Sequence, residues 1–207
     1  TLHTRDAIGT LLRLKDLGID KRDISSCLLG VVAQRLTRKL CKKCVRHEED
    51  PENKGEDAYD GGAALNYLLG EELIKEKFAL WKPGKSSENC EYCKGLGYRG
   101  RIVVPELWII GDKERAMIDS GCDNHDEYFN LAREKGMWDL TYNAMRLAMS
   151  GQTSLEEIFR VAVPKHSFLT NKKYIKKVVS EIYKDLKNKG PDDTSLPSAP
   201  KKIYKKN

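Results

Sequence analysis

Two pairs of cysteines, Cys41-Lys42-Lys43-Cys44 and Cys90-Glu91-Tyr92-Cys93, constrain this chain more than any other feature. A C-x-x-C knuckle sets two sulfurs on one short loop whose backbone N–H groups can point at thiolate. Two such knuckles make the commonest closed tetrahedral zinc site. The alternatives are two disulfides or four idle thiols; the remaining residues read as cytosolic rather than secreted, which favours the metal. A catalytic zinc is disfavoured, because four cysteines leave no open position for water or substrate. Cys41, Cys44, Cys90 and Cys93 are therefore the expected ligands of one structural zinc. Cys27 and Cys122 have no partner at ligand spacing, and Cys27, among Ile24, Leu28 and Val31, is expected to be a small buried hydrophobe.

A length of 207 residues allows one or two domains. No apolar run approaches the ~20 residues that cross a bilayer. Nothing at the start reads as a signal peptide; the chain opens at Thr1 in mid-pattern, so the natural N-terminus is expected to lie upstream. The net charge of +6 suggests nucleic acid, but it is unevenly placed, with an acidic stretch from Arg46 to Asp60 and a lysine-rich end from Lys165.

Ala7, Ile8, Leu11 and Leu14 recur at helical spacing, with Thr4 as N-cap and Gly18 as terminator. A second helix is expected after Asp20, running to about Ala33, followed by an extended segment from Gln34 to Leu40 that delivers Cys41. Between the cysteine pairs, the acidic first part reads as a mobile loop, and Leu65, Leu68, Leu69 and Leu73 as a short amphipathic helix. Ala79 to Ser86 fits a permissive phosphate-loop pattern, but a helix must follow such a loop and Cys90 comes almost at once, so the match is read as chance. After Cys93, Gly95 and Gly97 supply positive φ, and Arg101–Ile110 has strand composition, with Pro105 marking an edge or irregular strand. Helices are expected over 113–119, 125–135 and 137–150, and from 154 with Thr153 and Glu156 as a capping box. Ile175, Val178, Val179, Ile182 and Leu186 form a stripe opposite Lys173, Lys176, Lys177, Lys184 and Lys187, a basic amphipathic helix that can dock on its own domain, on a partner or on an anionic membrane surface, the first being expected; a disordered tail follows.

Taken in order, the segments spell a family. Leu2-His3-Thr4 with Asp6-Ala7, Arg13 to Gly18, Gln34-Arg35-Leu36 leading to Cys41, Cys90-x-x-Cys93-x-Gly95-x-Gly97-Tyr98-x-Gly100-Arg101, Glu106-Leu107, and Gly151-x-Thr153-Ser154-Leu155-Glu156-Glu157 resemble the C-terminal portion of the type II secretion and type IV pilus assembly ATPases, over about residues 1–163. The resemblance implies an α/β chain: the C-terminal part of a RecA-type P-loop core (1–40), an inserted tetracysteine zinc subdomain with an acidic loop (41–100), a returning strand and C-terminal helices (101–163), and a basic helix and tail (164–207). It implies a homo-hexameric parent at the cytoplasmic face of the inner membrane, whose ATP and magnesium cycle drives pilus or pseudopilus assembly with inner-membrane platform or assembly proteins. Membrane contact would be peripheral, through those partners, and nucleic acid would play no part. The Walker motifs and acidic boxes precede the histidine box in this family, so the chain alone is expected to be inactive. His3 matches the box histidine near the nucleotide phosphates, with Arg5 departing from the usual asparagine, and the tetracysteine motif favours an assembly or secretion ATPase over a retraction one. The competing readings are a zinc-binding nucleic-acid module, opposed by the neighbouring acidic loop, and a J-domain-chaperone-like zinc repeat, opposed by the lack of glycines after the first cysteine pair.

Overall fold

The computed structural model describes residues 2–47, 81–84, 88–162 and 172–189. The expected acidic loop, the helix around Leu65–Leu73, Lys85 and the tail lie outside them. The described chain mixes helices and strands: α1 (Ala7–Asp16), α2 (Lys21–Cys27), β1 (Gly30–Leu40), β2 (Val45–His47), β3 (Trp81–Pro83), β4 (Tyr98–Ile109), α3 (Asp112–Ser120), α4 (His125–Glu134), α5 (Leu140–Met149), α6 (Leu155–Val161) and α7 (Lys172–Lys189). β1 pairs with β4, and β2 with β3 antiparallel, placing Val45 against Pro83 and His47 against Trp81. Ile110 N donates to Leu29 O and Cys41 N to Gly97 O, so β1 and β4 also run in opposite directions.

Two compact units divide the chain. The first holds residues up to Gln34 and Pro105–Leu140. Its core joins Ala7, Ile8 and Leu11 of α1 to Ile24, Val31, Trp108, Ile118 and Tyr128, with Trp108 and Tyr128 edge to face at 5.7 Å. The cap of α1 is Asp6, not Thr4: its Oδ1 accepts from Gly9 N at 2.7 Å, while Thr4 Oγ1 donates to Asp6 O. Helix α2 starts after Asp20 as expected but stops at Cys27 instead of reaching Ala33. Gly30 and the β-branched Val31 and Val32 convert the chain to strand, and burial then alternates, Val31 and Ala33 in, Val32 and Gln34 out. A side chain at Gly30 would meet Trp108 O at 2.9 Å, so β4 approaches where only glycine fits. Cys27, expected inside, is exposed, because the helical stripe that would have buried it ends there.

One carboxylate organises this unit. Glu106 on β4 is 2% exposed; its Oε1 accepts from Ala7 N at 2.6 Å and its Oε2 from Leu140 N at 2.9 Å. Each is the first N–H of a helix, a donor with no partner inside its own helix. Burial raises the pKa of Glu106, and the two N–H groups oppose that shift.

The second unit holds Arg35–Val104 and the described chain from Thr141 onward. Residues Tyr142–Met149 of α5, within the helix expected over 137–150, are buried on every side. The cap of α6 is Ser154 rather than Thr153, Ser154 Oγ accepting from Glu157 N. Thr153 is drawn instead to β1, donating to Arg38 O at 2.8 Å. Of the stripe expected on α7, Ile175, Val178, Val179 and Ile182 are buried, Leu186 lying outside the described side chains, and Tyr142 donates to Asp185 at 2.7 Å.

Candidate metal centre

The two knuckles meet through a chain of short-range causes. Strand β1 ends at Leu40, whose N–H is held by Gln152 O, and delivers Cys41; Cys44 N and Val45 N both turn back to Cys41 O, closing the first knuckle. On the other side Gly95 N returns to Cys90 O and Leu96 N to Cys93 O. Gly95 and Gly97 take φ of +79° and +69°, as their place after the second pair predicts. A side chain at Gly97 would overlap Pro83 of β3 at 2.5 Å, so the glycine also lets the second knuckle lie against the β2–β3 ribbon. The phosphate-loop look-alike is part of that ribbon: Trp81–Pro83 is β3, and Gly84 N donates to Cys44 O.

The result is a cluster of the four cysteines, their Sγ atoms all within 4.8 Å of one another. Cys41 and Cys90 lie 3.8 Å apart, Cys44 and Cys93 3.7 Å. A disulfide would need about 2.05 Å. Tetrahedral geometry with metal–sulfur bonds of about 2.3 Å separates sulfurs by about 3.8 Å, so the donor set and its spacing fit the expected zinc. Cys41, Cys44 and Cys93 are buried, and Gly97 N points at Cys93 Sγ at 3.2 Å, the N–H···S contact anticipated for a knuckle. Without a metal, Cys44 and Cys90 are shifted in opposite directions. Burial and the neighbouring thiols push Cys44 far above the ordinary thiol range, whereas the Cys93 N–H draws Cys90 down to about 7. Two cation–π contacts flank the second knuckle, Arg99 over Tyr92 at 4.0 Å and Arg38 over Tyr98 at 4.3 Å.

His3 belongs to the first unit and is exposed, three residues before Asp6. Sequence reasoning missed several buried or half-buried carboxylates with fixed partners, among them three that tie distant segments. Glu106 is one. Asp6, besides capping α1, meets His125 Nε2 with both carboxylate oxygens at 3.2 Å; that contact raises His125, and lowers Asp6 despite its burial. Glu157, 1% exposed, accepts from Arg38 N, the Arg38 guanidinium at 2.5 Å and the Arg160 guanidinium at 2.9 and 3.0 Å. Burial alone would raise Glu157, but these donors outweigh it and hold it at about 2. The signal was present, since Ser154 and Glu157 have the same capping spacing as Thr153 and Glu156.

The family model described as "Type II/IV secretion system protein" matches residues 1–160. The chain belongs to that family. Among curated relatives, it is 35% identical over 159 residues to the type IV pilus assembly ATPase PilB of Thermus thermophilus, covering 76% of this chain and 16% of that protein. It is 36% identical over 165 residues to the type II secretion system protein E of Aeromonas hydrophila, covering 78% and 28%. To the type II secretion system ATPase E of Vibrio cholerae it is 35% identical over 166 residues, again 78% and 28%. The chain thus spans between 16% and 28% of the length of these secretion-family relatives.

Proposed function

We propose that this chain is the C-terminal portion of a RecA-type, homo-hexameric ATPase that powers pilus or pseudopilus assembly at the cytoplasmic face of the inner membrane, working with platform proteins of the machine. The observation that carries the reading is the family match over residues 1–160, on motifs that stand in the family's order. In this reading residues 1–40 complete the ATPase core, 41–100 form the zinc subdomain, 101–163 return to the core and close it with helices, and 164–207 are an appended basic helix and tail. His3 stands near the nucleotide phosphates, and ATP and magnesium are held chiefly by residues of the complete protein outside this chain.

Cys41, Cys44, Cys90 and Cys93 hold one structural zinc. Zinc supplies cross-linking there and no reaction step, because four thiolates close its coordination shell. The residues around it do the rest: the Gly97 N–H supports the Cys93 sulfur, and the β2–β3 ribbon fixes the angle between the knuckles.

The test uses the protein encoded by the complete gene, as wild type and as Cys44→Ser and Cys93→Ser, measuring zinc content, oligomeric mass, nucleotide affinity and ATP turnover. The expected result is one zinc per chain in wild type, and loss of zinc with impaired folding or assembly in both variants. Normal hexamers that bind ATP yet cannot hydrolyse it would overturn the structural role of the metal. Absence of ATP turnover in the complete wild-type protein would overturn the ATPase reading.

A further inference from the structure

Helix α7 lies beyond residue 160, where the family match ends, so the family accounts for nothing about it. Its apolar stripe is already used: Ile175, Val178, Val179 and Ile182 are buried. The opposite side carries Lys173, Lys176, Lys177 and Lys184, all exposed. At 3.6 residues per turn these four fall within an arc of about 100° along roughly 16 Å of helix. Lys177 approaches Glu181 at 4.0 Å; Lys173, Lys176 and Lys184 make no ion pair among the described residues.

A solvated helix face ordinarily interleaves acids and bases at i, i+4, which stabilises it, whereas lysines three and four apart repel. Here the row itself is lysine, with Glu181 at its margin, so α7 maintains a single-sign surface against its own helical preference. We propose that this lysine face docks on an anionic phospholipid surface. The side chains point to lipid rather than to a protein partner. They are lysines, compact point charges, without the planar fork that arginine offers to a specific carboxylate. No large exposed apolar side chain among the described residues of the helix offers the anchor that a protein interface is built around. With the apolar stripe committed to the second unit, α7 cannot insert as an interfacial helix does; it lies against headgroups by charge alone, each lysine adding to an attraction that salt screens.

This inference does not depend on the ATPase reading, and its test reads no turnover. The purified 207-residue chain is sedimented with vesicles of phosphatidylglycerol and phosphatidylcholine, and with phosphatidylcholine alone. It is expected to co-sediment only with the anionic vesicles and to be released by added salt. Replacing Lys173, Lys176, Lys177 and Lys184 by Gln should weaken binding about fivefold per lysine removed, with circular dichroism and melting unchanged. Lys176→Glu alone should weaken it more than Lys176→Gln, and decides the question if the quadruple variant fails to fold. Equal binding to neutral vesicles, binding that none of these substitutions weakens, or lysine-dependent binding to duplex DNA or polyglutamate with none to the vesicles would overturn the proposal.

Discussion

Glu106 shows what a single buried carboxylate does when both oxygens are given to helix starts. Its two acceptors satisfy Ala7 N and Leu140 N, donors that water cannot reach. Glu106→Ala leaves both unsatisfied, at about 1–3 kcal/mol each, so an overall loss of about 3 kcal/mol is expected in denaturant unfolding. Glu106→Gln keeps one acceptor and should cost less. The sequence marked Glu106 as part of a family motif but not this role, because its partners stand 99 and 34 residues away and no periodicity connects them. The clustering of the four cysteines was legible for the opposite reason: a C-x-x-C knuckle is local, and its spacing is written into four consecutive residues.

Among elements, the exits from the knuckles were legible and the helix-to-strand change at Cys27 was not. Ile24, Cys27, Leu28 and Val31 satisfy a helical period, yet Gly30 and two adjacent valines favour strand, and pairing with β4 decides. Two glycines flanking β4's start separate strain from fit. Gly100 takes φ of +79° with nothing within 4 Å of the place a Cβ would occupy, whereas Gly97 combines φ of +69° with Pro83 at 2.5 Å. Gly100→Ala should therefore cost about 1 kcal/mol of backbone strain. Gly97→Ala should cost more and also weaken metal retention, measured by zinc release to a chelator. The ties from α6 to β1 are acid-sensitive. Glu157 is held at about 2 in the folded chain, below the ~4.3 of a free glutamate. Its contribution is present above about pH 4 and lost as pH falls toward 2. Glu157→Gln should melt lower at neutral pH, and the difference from wild type should shrink in acid.

For the whole molecule, the proposed structural zinc predicts an uneven response to metal removal. Cys41, Cys44, Cys90 and Cys93 all belong to the second unit. Stripping the metal should speed amide exchange in β2, β3 and the knuckles, while α1, α3 and α4 keep their protection, as measured by hydrogen-exchange mass spectrometry. The mixed helix and strand content was readable from periodicity, but the division into two units was not, since β1 and β4 each contribute to both and no break in composition marks the change. His47 and Trp81 stand opposite each other, and Cys41 and Cys90 lie 3.8 Å apart, so the chain between leaves and returns at neighbouring points. Closing a flexible connection between two such fixed ends costs little more when it is long than when it is short, about 0.6 kcal/mol per doubling. A small reporter spliced between His47 and Trp81 should therefore leave the four sulfurs where they are.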